Sequence, residues 1–226
     1  MFSAYAGKWY STLTFVQKTV LHRPDGQVVE QTWHESVRHT PERGGQLRID
    51  MGDLANGNGV IYTADSVWSV RGGKLVAARD KGNEFLPLIE NVYLQPVEKT
   101  VRELRHTKVD LLKVRSGEWR GRKVWVVGTT SASDTTSPQF WVDDDRNVVV
   151  RMVLQESPEA PVMDVHIDGY APAGKGWIGA DVKILRGGKV VQEEIYTQWK
   201  TDVKLDAALF DPAQWTTAAH WAKSAK

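Results

Sequence analysis

The residues in this sequence that could do chemistry are few, and the most suggestive group is Asp164, His166 and Asp168. They alternate with apolar residues, so a β-strand would place all three side chains on one face. Two carboxylates beside an imidazole could form a titrating cluster of the kind found in active sites. The simpler interpretation is the solvated face of a half-buried strand, and the alternation favours it. We therefore predict that this group has no catalytic role.

Other candidate motifs lack parts that their chemistry requires. DDDRN at 143–147 resembles a calcium loop but lacks its Gly at the sixth position and its later Glu. GNG at 57–59 is followed by neither a third spaced Gly nor a helix, so it is no dinucleotide fingerprint. The histidines lack strong zinc spacing, no serine lies in a nucleophile elbow, and no carboxylate pair stands out in an apolar frame. The sequence predicts no catalytic residue, metal or cofactor, and a protein that is not an enzyme.

Composition narrows the class of protein further. The chain has 226 residues, no cysteine, and a net charge of +1 from 29 Lys and Arg against 28 Asp and Glu. A near-neutral chain does not favour nucleic acid as the main partner. The sequence contains no run of 18 apolar residues, so it predicts no transmembrane helix. The first residues lack the basic and apolar regions of a signal peptide, so the protein is either cytosolic or has lost its leader before Met1.

The elements that must position any site are mostly strands. Gln139 to Gln155 predicts a β-hairpin whose turn is the DDDRN run. Similar period-two patterns recur along the chain, separated by turns that contain Gly and Pro. The polar residues that alternate with the apolar ones, such as His34 and Ser36, are predicted to be solvated. The apolar sets predicted to share one face are Leu13 and Phe15; Val29, Trp33 and Val37; Leu47, Ile49 and Met51; Phe140 and Val142; Val148, Val150, Met152 and Leu154; Met163, Val165 and Ile167; Ile178, Ala180, Val182 and Ile184; and Val191, Ile195 and Trp199.

One segment, residues 83–107, changes to a helical period, and we call it the lid. Its first part carries an apolar stripe formed by Phe85, Leu86, Leu88, Ile89, Val92 and Tyr93. Pro96 opens a second helix with Val97, Val101 and Leu104 on one stripe. Each helix has one apolar side, and the sheet has an apolar face to receive it. The predicted fold is mainly β with a few helices (α+β), in a single domain over residues 1–226.

The functional hypothesis follows from the width of the predicted sheet. About eleven antiparallel strands are too many to stay flat, so the sheet must curl. The helical material is too little to cover its apolar face, which leaves either a cavity or a packed barrel core, and the residues alone do not decide between them. The predicted ligand-binding residues are Phe15, Trp33, Leu47, Ile49, Phe85, Leu86, Ile89, Phe140, Val150, Met152, Leu154, Met163, Val165 and Ile167.

The order of several stretches resembles a known family. They are LTFVQKTV at 13–20, VVEQTWHESV at 28–37, QLRIDM at 46–51, VIYTADSVWSV at 60–70, FWVDDDRNVVVRMVLQ at 140–155 and LFDPAQW at 209–215. In this order they are similar to the LolA-like outer-membrane lipoprotein-sorting proteins, which are periplasmic carriers. The resemblance covers most of the chain. It implies an unclosed antiparallel β-barrel, a helical lid, and a hydrophobic cavity that carries lipoprotein acyl groups.

The resemblance also implies a cellular role. We expect a monomeric, non-enzymatic carrier of lipid or lipoprotein acyl chains in the periplasm, moving them toward the outer membrane after a signal peptide is removed. Membrane-bound donor and acceptor proteins would be its partners. The alternative is a lipoprotein-sensing or protein-interaction module whose barrel core is packed, and an enzyme is the third hypothesis.

Overall fold

Thirteen antiparallel strands form one sheet in the computed structural model, which describes residues 1–63, 65–157 and 159–222. Their bounds are β1 Thr12–His22, β2 Val28–Thr40, β3 Gly44–Met51, β4 Gly59–Tyr62, β5 Val67–Arg71, β6 Lys74–Arg79, β7 Val114–Trp119, β8 Arg122–Val127, β9 Gln139–Asp143, β10 Val149–Leu154, β11 Met163–Ala173, β12 Gly176–Arg186 and β13 Lys189–Thr201. Their order in the sheet is β6-β5-β4-β3-β2-β1-β13-β12-β11-β10-β9-β8-β7. The sheet is unclosed, with β6 and β7 at its two edges, which confirms the predicted fold class.

The helices are short. They are α1 Phe2–Tyr5, a π-helical turn Pro87–Asn91 that continues into α2 Val92–Leu94, and α3 Val97–Leu104. Short 3-10 turns lie at Leu54–Asn56, Arg105–Thr107, Ala207–Phe210 and Pro212–Gln214. The lid therefore occupies the chain between the two edge strands, where the sequence predicts it.

The lid packs on the sheet at β3. The apolar stripe of its first part is buried or half-buried and joins the two main core clusters. The approach is closest at Gly45, where a Cβ atom would lie 2.2 Å from Asn91 Oδ1. A side chain at this position would force Asn91 to move, so glycine allows the lid to lie against β3 as it does.

The predicted stripe of α3 is wrong. Val97 and Val101 are exposed, and the side that packs inward carries Thr100 and Leu104. That side is held by hydrogen bonds from Gln95 Nε2 to Thr100 Oγ1, at 3.2 Å, and to Glu103 Oε2, at 2.7 Å. Polar contacts set the orientation of this helix on the rest of the protein. The positions of Val97 and Val101 therefore predicted the wrong buried side.

The predicted phase of β10 is also wrong at Val150. A register shift between Val149 and Arg151 interrupts the pairing with β9, so the alternation breaks there. Met152 and Leu154 stay with the cluster that contains Phe140, while Val150 packs in a separate cluster with Val124 and Val126. The bulge adds one residue, and one extra residue turns a side chain to the opposite face.

The sheet has two faces, and both are partly covered. We call the face under the lid the cavity face and its opposite the outer face. On the outer face, residues 205–222, the C-terminal segment, pack against β2 to β5. Trp221 Nε1 donates a hydrogen bond of 2.8 Å to Ser36 Oγ, and Ser36 is fully buried. The prediction that this side of β2 is solvated is therefore wrong at Ser36.

Candidate ligand-binding cavity

A cavity of about 420 Å³ lies between the lid and the cavity face. Strands β1 to β4 and β11 to β13 supply its walls, and the first part of the lid supplies its cover. Of the predicted ligand-binding residues, those that line this cavity are Phe15, Trp33, Leu47, Ile49, Phe85, Leu86, Ile89, Met163, Val165 and Ile167. Period-two alternation brings them together because it places alternate residues of each strand on the same face.

The other four predicted residues lie elsewhere. Phe140, Met152 and Leu154 belong to a packed cluster with Leu88 and Leu104 of the lid. The β9–β10 end of the sheet is thus filled by side chains under the lid. Val150 lies in the separate cluster described above, because of the β10 bulge.

The N-terminal segment supplies aromatic residues to the cavity that the sequence analysis missed. Trp9 and Tyr10 line it, and Trp9 stacks on Tyr93 of the lid with ring centroids 3.7 Å apart. Tyr5 packs edge-on against both rings. Both residues precede β1, which begins at Thr12, so strand alternation does not reveal where their side chains point. These rings hold the lid at one end by aromatic packing.

Strand β13 presents polar side chains to the cavity, and the predicted phase is wrong at Ile195, although Val191 does line the cavity. Gln192, Glu194 and Tyr196 line the cavity, whereas Ile195 is exposed on the other side. Gln198 has a positive φ of 55°, and the pairing of β13 with β1 shifts register beside it. Residues before and after this irregularity therefore alternate in different phases. For this reason the side of the sheet that Trp199 faces does not predict the side that Ile195 faces.

Two buried carboxyl groups lie in this polar part of the cavity. Glu35 is 6% exposed and Glu194 is 8% exposed, and both line the cavity. Burial raises the pKa of Glu35 well above its usual value, and the neighbouring Glu194 raises it further. Burial also raises the pKa of Glu194, although hydrogen bonds from Tyr196 and Gln192 oppose the shift. The prediction that no carboxylate pair stands out among apolar residues is therefore wrong. Glu35 lies on β2 and Glu194 on β13, and the sheet brings these two strands close together although they are distant in sequence.

A third buried acid, Glu90, lies where the lid meets the N-terminal segment. Tyr10 Oη donates a hydrogen bond of 3.5 Å to Glu90 Oε1, and burial raises the pKa of Glu90 to about 8. At neutral pH this carboxyl group is mostly protonated, so it adds little charge to the cavity. The lid can therefore close over the sheet without burying an ion.

The Asp164, His166 and Asp168 group lies on the outer face. Arg151 binds Asp164 through two hydrogen bonds of 2.8 Å, and Arg120 pairs with Asp168 at 2.9 Å. His166 packs edge-on against Trp119. The three side chains are half-buried among these partners rather than freely solvated, and none of them lines the cavity.

No grouping of three His, Asp or Glu side chains that could hold a metal ion occurs within residues 1–63, 65–157 and 159–222. Over the same ranges, no helix has both the length and the apolar character needed to cross a membrane.

Solved structures with the same architecture share little sequence with this chain. A structure described as an outer membrane lipoprotein-sorting protein domain from Vibrio parahaemolyticus superposes with a TM-score of 0.64 at 11% identity, covering 94% of both chains. A LolA superfamily protein from Nitrosomonas europaea gives a TM-score of 0.52 at 11% identity, covering 89% of this chain and 90% of that one. The fold is LolA-like. This confirms the resemblance drawn from the sequence, at the level of the fold.

A third similar structure belongs to a family named only as a domain of unknown function. This DUF1329 family protein from Desulfovibrio piger has a TM-score of 0.62 at 13% identity and covers 91% of this chain and 92% of that one. No family model matches the sequence, and no curated protein matches it significantly. A LolA-like fold thus serves more than one named family, so the function of this chain must be argued from its own cavity.

Proposed function

We propose that this chain is a non-enzymatic carrier that binds acyl chains of lipoproteins or lipids in the cavity under the lid. The observation that carries the proposal is the cavity itself, about 420 Å³ within the range typical of small-molecule sites. Leu13, Leu47, Val165, Ile167 and Val182 are among the apolar side chains that line it. Such a surface binds hydrocarbon by burial, with each CH₂ group contributing about 0.8 kcal/mol.

The cavity also favours one of the two hypotheses that the sequence left open. A sensor or interaction module with a packed core would fill the space under the lid, as Phe140, Met152 and Leu154 do at the β9–β10 end. The space between β1 to β4 and β11 to β13 is unfilled by side chains. The carrier hypothesis therefore has the better support.

The cellular setting is part of the proposal. The LolA-like fold and the lipoprotein-sorting name of the Vibrio structure support a periplasmic carrier that moves its ligand toward the outer membrane. We propose that residues 1–226 act as a single, monomeric domain, with membrane-bound donor and acceptor proteins as partners. Release of a ligand would require the lid to move away from β3.

Mass spectrometry of lipids extracted from the purified protein tests the proposal directly. We expect co-purified acyl lipids, and binding of an apolar fluorescent probe once they are removed. Ile49→Trp, which fills the cavity, should weaken probe binding at least tenfold. Ile195→Trp, on the exposed side of β13, is the matched control and should leave it unchanged. Absence of both lipid and probe binding in the folded protein would overturn the carrier hypothesis.

A further inference from the structure

The cavity has one polar wall, built from β1, β2 and β13. Across β1 and β13, Thr19 lies opposite Glu194, and across β1 and β2, Phe15 lies opposite Glu35. The two glutamates therefore flank β1 on the cavity face, and each is more than nine-tenths buried. An apolar chain alone would not require acids at this position, because burying a carboxyl group in an apolar wall costs free energy.

Glu35 has no partner in the part of the chain that the structure describes. Glu194 accepts hydrogen bonds from Tyr196 Oη, at 2.5 Å, and from Gln192 Nε2. Among the described residues, no hydrogen bond or ion pair reaches the carboxyl group of Glu35, which lines the cavity. Behind the wall, on β1, Gln17 is 1% exposed and does not line the cavity. Buried polar groups in proteins are normally satisfied, so a buried carboxyl group without a partner at a cavity wall is available to a bound ligand.

A cationic donor is the partner that fits this site best. An ionised Glu35 accepts hydrogen bonds at both oxygens, and a cation would also balance its charge. Among the residues that line the cavity, the one cationic side chain is Arg186, which is exposed at the end of β12 and pairs with neither acid. The described residues that line the cavity thus supply three carboxyl groups, Glu35, Glu90 and Glu194, and no interior positive charge to balance them.

We propose that the cavity binds an amphiphile with a protonated primary amine, held by Glu35 with Glu194 beside it while its apolar chain lies under the lid. This deepens the proposed carrier function and rests on it. An ammonium group offers three N–H donors, which matches the unpaired oxygens. Charge-assisted hydrogen bonds in a dry site are stronger than neutral ones and would select an amine over an alcohol of equal chain length.

The proton balance of this binding step is defined. Burial, and then the neighbouring Glu194, hold the pKa of Glu35 well above its usual value, and a bound ammonium group would favour the ionised form. Any proton that Glu35 gives up on binding goes to solvent, while the amine keeps its own proton. Glu194 and Tyr196 from β13 and Tyr62 from β4 are the other titratable groups near Glu35. Their phenols stay neutral, because burial raises the pKa of both tyrosines.

Competition against an apolar fluorescent probe tests the proposal, with decylamine and decan-1-ol as matched ligands at pH 7. We expect decylamine to bind at least tenfold more tightly than decan-1-ol. In Glu35→Gln, which keeps the shape of the side chain, the two affinities should come within about twofold. Glu30→Gln on the same strand is the control, since Glu30 is exposed and pairs with Lys18 on the outside, and it should keep the preference.

Calorimetry in two buffers of different ionisation enthalpy gives a second measurement that needs no variant. We expect more protons to be released per decylamine bound to the unaltered protein than per decan-1-ol bound. Equal affinities, a preference that survives in folded Glu35→Gln, or proton release no greater with decylamine than with decan-1-ol would each overturn the inference, and tight decan-1-ol binding would then still support the carrier. Failure of both ligands to bind would overturn the carrier hypothesis itself.

Discussion

His220 and Asp50 are 170 residues apart in the chain, and a hydrogen bond of 3.0 Å joins His220 Nε2 to Asp50 Oδ2 inside the protein. The amide of Ala222 donates to His220 Nδ1, which leaves Nε2 to donate to Asp50. Asp50 also accepts two hydrogen bonds of 2.8 Å from Arg48. This network fastens the C-terminal segment to the outer face of β3.

We expect Asp50→Asn to destabilise the protein by about 3–5 kcal/mol, the usual cost of leaving one member of a buried ion pair alone. Arg48 would lose its counter-charge although it is buried and also holds the carbonyl oxygens of Leu209 and Trp215. Urea unfolding at pH 7 measures the change. Glu30→Gln, which breaks an exposed pair, should cost less than about 1 kcal/mol. Equal losses in both variants would show that the network does not anchor the segment.

The same network predicts how stability changes in acid. Burial alone would raise the pKa of Asp50, but the hydrogen bonds from His220 and Arg48 outweigh it and hold the pKa below its usual value. Asp50 therefore stabilises the fold above the pKa of the unfolded chain, and this stability is lost as pH falls through the folded pKa. Acid unfolding followed by tryptophan fluorescence should be less steep in Asp50→Asn. An unchanged acid transition would contradict the prediction.

Sequence patterns predicted the sheet, the lid and most of the cavity wall, because alternation over long strands fixes which side chains share a face. They failed where an irregularity shifts the phase, at the β10 bulge beside Val150 and at Gln198 in β13. They also missed Glu35 and the role of the C-terminal segment. Both depend on contacts between residues distant in the chain, and no local pattern reports whether a polar residue faces a cavity or another segment.

The Asp164, His166 and Asp168 group on the outer face is predicted to play no part in ligand binding. We expect the double variant His166→Ala and Asp168→Ala to bind an apolar probe with nearly wild-type affinity, because neither residue lines the cavity. Arg120 would lose its partner on a half-exposed surface, so stability should fall by less than about 1 kcal/mol. A tenfold loss of probe affinity, about 1.4 kcal/mol, with circular dichroism unchanged, would instead indicate a polar site on this face.

Glu90 makes stability fall as pH rises. Its pKa is about 8 in the folded protein against 4.5 in the unfolded chain, because burial disfavours the carboxylate. Below pH 4.5 both states hold the proton and the stability is fully present. Between the two values the folded state binds more protons, so this group lowers the free energy of unfolding by up to about 1.4 kcal/mol per pH unit.

We therefore expect Glu90→Gln to be more stable than the unaltered protein at pH 7.5 and to lose less stability between pH 5.5 and 7.5. Urea unfolding at both values measures the difference. Glu98→Gln, at an exposed position of α3, is the control in the same segment and should leave the pH dependence unchanged. If Glu90→Gln kept the original slope, the buried carboxyl group would have to be ionised already.

The lid gives the last prediction, because the same side chains close the cavity and line it. Leu86 is 1% exposed and Ile89 is partly buried, and both face the cavity. Replacing both with Ser should weaken binding of an apolar fluorescent probe at least tenfold, since two polar groups would replace hydrocarbon at the contact with the ligand. Val97→Ser with Val101→Ser, on the exposed side of α3, is the matched control and should bind normally. Wild-type probe affinity in a Leu86 and Ile89 double variant with intact β-sheet circular dichroism would mean that the lid only packs on the sheet and does not touch the ligand.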